Sequence, residues 1–185
     1  AFQELITKWS VNIAQFIRNH HKEAASQEVL VFSITILLNL FLVLVTVLGI
    51  SAITGHFLNA VVLIIAHIFL RFFSGGVHLP TSTMCNLFSI STMLILIHLP
   101  ISYWETGFII NLLAFLIVLI YAPTKDIMHL NRLGPKYTIH YKIISLAIVA
   151  SNFWFQSPVA SLAFLGQSIS LMPWTYKAVA KLERR

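Results

Sequence analysis

The sequence predicts an all-helical protein that crosses a membrane several times. Of its 185 residues, 58% are hydrophobic and only 10% are charged, whereas soluble domains carry about 25% charged residues. A soluble fold of this size leaves much of its surface in water and cannot bury so many apolar side chains. The apolar residues also form runs of about 20, the length that a helix needs to cross the hydrocarbon layer. Basic residues gathered between these runs are a third, independent indication.

Residues 1–22 precede the first apolar run and have the pattern of an amphipathic helix. Large apolar side chains recur at helical spacing on one stripe, and polar or charged side chains fall largely off it. Such a helix can lie in the membrane interface or pack as an ordinary helix on the rest of the protein, and the pattern fits both. The stripe comprises Phe2, Leu5, Ile6, Trp9, Ile13, Phe16 and Ile17.

Six apolar segments follow and predict six transmembrane helices in a single membrane domain, 1–185. The fifth segment is the least apolar because His140 and Lys142 lie near its start. Pro158 suits the first position of the sixth helix. A four-span arrangement would make the third or the fifth segment re-entrant, and the sequence leaves it open. The segments are 30–50, 53–72, 82–100, 103–122, 138–155 and 158–175, and a basic tail, 176–185, follows them.

The charges between the segments predict how the chain is oriented. In the six-span arrangement all 12 Lys and Arg residues lie at one end of the helices. The loops at the opposite end, 49–55, 102–106 and 152–157, contain a single charge, Glu105. Because basic loops stay on the cytoplasmic side of a membrane, we expect both termini in the cytoplasm. Basic residues spread over short loops do not form the basic face that binds nucleic acid, so no nucleic-acid partner is expected.

The loop between the second and third segments carries the candidate reactive side chains. Cys85 is the only cysteine, which excludes an intrachain disulfide, and a lone cysteine with histidines elsewhere is a candidate nucleophile. Gly75 and Gly76 permit a sharp turn. Pro80 disfavours helix at the residue before it and suits the first turn of a helix. His78 is therefore predicted in a loop at the cytoplasmic membrane edge, and Cys85 in the opening turns of the next helix.

The spacing of His78 and Cys85 decides how their side chains can meet. In one unbroken helix, seven residues would separate the two Cα atoms by about 10.5 Å, which is too far for a hydrogen bond. A folded loop can bring the imidazole to the thiol, which reacts as the thiolate. Simpler explanations exist: a cysteine in an apolar span is commonly a small buried hydrophobe, and Arg71 can be a cytoplasmic anchor. A Gly-Gly pair can be a packing or hinge feature.

The remaining histidines do not predict a metal site. On one helix, His56 and His67 would lie about 16 Å apart, and neither an HExxH motif nor a CxxC pair is present. We therefore expect no metal and no cofactor. A different hypothesis is a small channel or transporter whose path is lined by polar residues within the spans, although such residues also hydrogen-bond neighbouring helices. They are Asn39, Asn59, His67, Asn111 and Asn152.

A pattern in the same loop resembles the accessory gene regulator B (AgrB) family, membrane endopeptidases of Gram-positive peptide quorum sensing. The matching residues are Arg71, Gly75, Gly76, Val77, His78 and Cys85. The chain length, the amphipathic start, the number of spans and the basic loop with Pro123 after the fourth span resemble the family too. The resemblance implies a catalytic pair, Cys85 and His78, and functional importance for Arg71 and Gly76. It also implies a homodimer in the bacterial cytoplasmic membrane.

The family's substrate is a short propeptide, AgrD, with an amphipathic leader, a central segment that contains a Cys or Ser, and an acidic C-terminal tail. The implied reaction removes the tail through an acyl-enzyme thioester and leaves a cyclic thiolactone or lactone. A peptidase of another peptide pathway that only hydrolyses its substrate is a further alternative.

Several neighbouring side chains are candidates for supporting roles. Some could orient His78 or help to bind an oxyanion, and the basic ones could attract an acidic tail, an attraction that weakens with salt. Gly75 belongs with Gly76 in the turn. The candidates for the first role are Ser82, Thr83, Asn86 and Asp126, and those for the second are Arg71, Lys125, Arg132 and Lys136.

Overall fold

The computed structural model describes residues 2–21, 23–125, 127 and 135–183. This part of the chain is helical and contains no strand, as the composition predicted. A π-helical turn, Tyr103–Gly107, leads into α5, and a 3-10 turn, Pro135–Tyr137, leads into α6. The α-helices are α1 (Phe2–His20), α2 (Gln27–Ile53), α3 (Phe57–Ser74), α4 (Ser82–His98), α5 (Phe108–Tyr121), α6 (Thr138–Phe155), α7 (Pro158–Ile169) and α8 (Pro173–Glu183).

The helix positions follow the predicted segments closely, with one exception. The first five segments each coincide with a helix, whereas the sixth is divided, because α7 ends at Ile169 and α8 begins at Pro173. Proline has no backbone N–H and its ring clashes with the preceding turn, so α7 cannot continue through this position. The predicted basic tail therefore begins inside α8.

The prediction of six membrane spans is not confirmed. In the part of the chain that the structure describes, three helical stretches are long and apolar enough to cross a membrane: Gln27–Ile53, Phe57–Ser74 and Tyr103–Tyr121. α4 and α7 are apolar but shorter. The 12 residues of α7 rise only about 18 Å, less than the hydrocarbon thickness of about 30 Å.

Helix α3 occupies the centre of the bundle. α2, α4, α6 and α7 all pack against it, and α5 packs on α6 and α7. Buried small residues let the helices approach closely, among them Ala60 on α3, Ala114 on α5 and Ala163 on α7. The outer surface is apolar too, since Phe32 and Phe41 of α2 are each 65% exposed. Such a surface suits lipid rather than water.

Helix α1 has two apolar stripes rather than one. It packs along α2 through Ile6, Ser10 and Ala14, which are buried, and the Thr35 hydroxyl of α2 donates to Ser10 Oγ at 2.9 Å. α1 therefore packs on the rest of the protein, which is one of the two arrangements that its pattern fits. A second stripe stays exposed, so the interfacial location remains a prediction. This stripe comprises Leu5, Trp9, Ile13 and Phe16.

The ends of the helices meet in two groups. At one end, Thr124 N donates to Ser74 O at 2.9 Å and Val77 N donates to Ser170 O at 3.1 Å, which joins the ends of α3, α5 and α7. At the other end, the ring of His98 lies 2.9 Å from Thr54 Oγ1 and joins the end of α4 to the α2–α3 turn. The α3–α4 loop therefore lies at the first end.

Candidate active site

The α3–α4 loop is turned by two buried glycines. Gly75 has φ 76° and Gly76 has φ 135°, backbone conformations that residues with a side chain rarely adopt. A Cβ atom on Gly75 would overlap Thr124 Oγ1, and one on Gly76 would overlap Ser170 Oγ. The loop thus lies so close to its neighbours that both positions require glycine for space as well as for backbone angle.

Cys85 is the fourth residue of α4, and its position is set by the start of that helix. Thr81 caps the helix, because its Oγ1 accepts a hydrogen bond from Met84 N at 3.2 Å. Cys85 N donates to Thr81 O at 3.0 Å. The side chain of Cys85 is half-buried. Pro80 lies just outside the helix rather than in its first turn, and the loop that precedes it contains His78, as predicted.

Arg71 contacts the loop that leads to Cys85. From the last turn of α3, its Nη2 donates to Val77 O at 2.9 Å and lies 3.3 and 3.4 Å from Nδ1 and Nε2 of His78. Because arginine only donates, His78 can accept its hydrogen bond only through the lone pair of a neutral ring. A neutral imidazole is the form that can take up a proton.

Gln167 of α7 supports this arrangement from the other side. The side chain is fully buried, and its Nε2 donates to Gly75 O at 2.6 Å and to Ser74 Oγ at 3.2 Å. Its Oε1 accepts a hydrogen bond from Arg71 Nη1 at 3.3 Å. The sequence pattern did not single out Gln167. The rule that a polar side chain inside a span has a partner or a function was the signal that could have found it.

The residues of this site lie within a stretch of the chain that matches a protein family. Residues 10–172 match the family model described as Accessory gene regulator B. The chain belongs to the accessory gene regulator B family. The matched stretch includes the whole α3–α4 loop, Cys85 and Gln167. No curated protein and no solved structure matches the chain.

Membership of the AgrB family connects the protein with agr quorum-sensing peptide processing. The family works with the AgrD propeptide and is membrane peptidase-like. The apolar helices agree with a membrane protein.

The other predicted supporting residues are less closely connected with the loop of this AgrB-family protein. Asn86 Nδ2 donates to Asn39 Oδ1 at 2.6 Å, so this amide joins α4 to α2. Ser82 is exposed at the start of α4. Lys125 and Lys136 are exposed, and Asp126 and Arg132 lie outside the described residues.

Hydrogen bonds between helices account for three of the five residues that suggested a transport path. Asn39 bonds Asn86, and Asn152 Nδ2 donates to Asn111 Oδ1 at 3.1 Å and to Ser161 Oγ at 2.9 Å. Within the residues that the structure describes, no group of three or more His, Cys, Asp or Glu residues could hold a metal ion.

Proposed function

We propose that this AgrB-family protein is a membrane-embedded cysteine endopeptidase that removes the tail of an AgrD-like propeptide and closes the remaining peptide into a ring. One observation carries the proposal: the Arg71 guanidinium contacts His78 in the loop that leads into the first turns of α4, where Cys85 lies. A base and a positive charge therefore meet in that loop, seven residues before the cysteine. Cys85 is the nucleophile and His78 is the base.

The first step is acyl transfer from the propeptide to the enzyme. The His78 lone pair releases the Arg71 N–H and takes the thiol proton, and the Cys85 sulfur attacks the carbonyl carbon at the start of the acidic tail. The carbonyl oxygen becomes an oxyanion, and the neighbouring guanidinium of Arg71 stabilises both the thiolate and this charge. When the C–N bond breaks, His78 returns its proton to the leaving amine. The tail departs and a thioester on Cys85 remains.

The second step releases the peptide as a ring. A Cys thiol or Ser hydroxyl within the propeptide attacks the thioester carbonyl, and His78 takes the proton of that group. The bond to the Cys85 sulfur breaks, the thiol regains a proton, and a thiolactone or lactone forms. When the attacking group is a thiol, one thioester replaces another and the exchange is nearly balanced in free energy. Hydrolysis would drain the intermediate, so water must be kept from it. A site at the membrane edge, as proposed here, would favour this exclusion.

Binding of the substrate uses its two unlike ends. The acidic tail is attracted by the basic residues at the same end of the bundle, of which Lys125 and Lys136 are exposed. The amphipathic leader lies in the membrane interface beside the exposed apolar stripe of α1. We further propose that both termini are cytoplasmic and that the enzyme works as a homodimer, as the family resemblance implies.

Mass spectrometry of a propeptide incubated with the protein in lipid vesicles tests the proposal. The wild type should yield the free tail and a core peptide lighter by one water than the linear fragment. A linear fragment alone would mean hydrolysis without cyclisation. Cys85→Ala should yield neither product while its thermal unfolding stays unchanged. Normal cleavage by a well-folded Cys85→Ala variant would falsify the assignment of the nucleophile.

A further inference from the structure

Gln167 is the buried residue that connects α7 with the α3–α4 loop. It lies 96 residues from Arg71 in the sequence, and its side-chain amide forms hydrogen bonds with Arg71, Ser74 and Gly75. These bonds are the route by which its side chain acts on the loop that leads to Cys85.

The oxygen and the nitrogen of the Gln167 side-chain amide bind different groups. The oxygen accepts a hydrogen bond from Arg71 Nη1, while Nη2 of the same guanidinium is directed at Val77 O and the ring of His78. Because a guanidinium is planar and rigid, fixing one nitrogen fixes the direction of the other. The amide nitrogen bonds Gly75 O and thereby holds the start of the loop against α7.

The close approach at Gly76 belongs to the same arrangement. A Cβ atom there would lie 3.1 Å from both Arg71 Nη1 and Gln167 Nε2, and it would overlap Ser170 Oγ. Ser170 O in turn accepts a hydrogen bond from Val77 N at 3.1 Å. The C-terminal end of α7 thus binds successive residues of the loop, Gly75 through Gln167 and Val77 through Ser170. Of these two α7 residues, Gln167 is the one that also bonds Arg71.

We infer that Gln167 is a positioning residue: its amide holds the Arg71 guanidinium against the His78 ring and Val77 O, and so fixes the loop that carries the proposed base for the Cys85 thiol. This inference rests on the proposed function for its catalytic consequence, but thiol reactivity can be measured without substrate. An apolar side chain of similar length would leave Arg71 Nη1 and Gly75 O buried without this partner. The guanidinium would then lose the direction in which it meets the His78 ring.

Alkylation of Cys85 provides a direct measurement, because the chain has no other cysteine. In Gln167→Leu, we expect the rate of iodoacetamide labelling near neutral pH to fall about tenfold relative to the rate at alkaline pH, since a displaced His78 is a poorer base for the thiol proton. With propeptide, we expect kcat to fall by roughly 10- to 100-fold and KM to change by less than about twofold. Both rates are measured in lipid vesicles.

Ser168→Ala is the matched control. Ser168 is as fully buried on α7 as Gln167, but its hydroxyl donates to Phe164 O and Ala114 O rather than to the loop. Its labelling rate and kcat should stay within about twofold of the wild type. A comparable loss in Ser168→Ala would mean that any polar deletion in α7 slows the thiol, which would overturn the positioning role.

A second variant and a double mutant keep the inference testable if Gln167→Leu does not fold. Gln167→Glu retains an acceptor for Arg71 but cannot donate to Gly75 O, and its negative charge offsets the cation, so labelling should slow in the same direction. In an Arg71→Ala background, Gln167→Glu should slow labelling less than it does in the wild type, because the part of its effect that passes through Arg71 is already lost. Unchanged labelling in a folded Gln167 variant, or additive losses in the double mutant, would overturn the inference. Cleavage by Cys85→Ala would instead refute the proposed function alone.

Discussion

A histidine lies near each end of α4, yet the surroundings of the two rings differ. In the loop before the helix, His78 contacts the Arg71 guanidinium. At its end, His98 bonds Leu94 O at 2.8 Å and Thr54 Oγ1 at 2.9 Å, and its ring lies 4.5 Å from that of His56. The first histidine has a cationic neighbour, whereas Leu94 O and Thr54 Oγ1, which bond the second, are neutral.

This difference shows that the presence of a histidine is not what distinguishes the reactive end. A carbonyl oxygen only accepts, so Nδ1 of His98 must donate to Leu94 O, and its other nitrogen is bonded to the Thr54 hydroxyl. These bonds hold the helix end to the α2–α3 turn. At the candidate site, the buried Gln167 bonds a cation that contacts the histidine ring. Four predictions test whether this contrast governs function.

Replacing the two histidines should give the largest difference between the ends. His78→Ala removes the proposed base, so kcat for tail removal should fall by about 10²- to 10⁴-fold. His98→Ala removes an exposed ring that is remote from the thiol, and kcat should stay within about twofold. Both rates are measured on purified protein in vesicles. Equal losses in the two variants would show that the contrast between the ends has no catalytic meaning.

Two glycines with positive φ provide the next contrast. In Gly76→Ala, the new Cβ overlaps Ser170 Oγ and crowds Arg71, so we expect a loss of activity of about 100-fold and a destabilisation of about 1–3 kcal/mol. Gly55→Ala meets no atom within 4 Å, and only its φ of 76° costs about 1 kcal/mol. Thermal unfolding and single-turnover cleavage separate the two effects. An active Gly76→Ala would contradict the tight fit of the loop.

The positions of the reactive residues could be predicted from local sequence signals. Runs of apolar residues located the helices, and Gly75, Gly76 and Pro80 placed His78 in a loop and Cys85 in the first turns of α4. These signals act over a few residues, because glycine and proline restrict or release the backbone where they stand. The Cys/His catalytic roles remain proposals that the spacing and the family support.

The support of the site could not be predicted in the same way. The bond from Arg71 to Gln167 joins residues 96 positions apart, and no local pattern tells which polar side chain in a distant helix will face another. The same limit applies to α1, where periodicity marked one apolar stripe but not that Ile6 and Ala14 would pack on α2 while Trp9 stayed exposed. The number of membrane spans depends on helix length. In the sixth segment the helix ends at Ile169, before Pro173, and is too short to cross the membrane.

Two asparagines that join helices, one near each end of the bundle, should have smaller effects on stability and kcat when they are replaced. Asn39→Leu breaks the bond to Asn86, the neighbour of Cys85, and should cost about 0.6 to 1.7 kcal/mol and lower kcat severalfold as α4 shifts. Asn152→Leu, at the other end, disrupts a bonded cluster with Asn111 and should destabilise at least as much without changing kcat. Unfolding in detergent and initial rates report the two quantities. A larger kcat loss in Asn152→Leu would reverse the expected order.

The smallest expected effect concerns long-range attraction of the substrate. Lys125 and Lys136 are exposed at the end of the bundle that holds Cys85, and the Lys136 ammonium lies 5.2 Å from the centre of the Tyr137 ring. Exposed charges contribute at most about 1 kcal/mol, so Lys125→Gln with Lys136→Gln should raise KM by roughly two- to fivefold in low salt. The difference should vanish in high salt, where screening acts within a few ångströms, and kcat should not change.

Glu105→Gln, a charge change at the opposite end, should leave KM unaltered at every salt concentration, because a tail that approaches from the Cys85 end never comes near it. A salt-dependent KM in Glu105→Gln but not in the lysine variant would place substrate entry at the wrong end of the bundle.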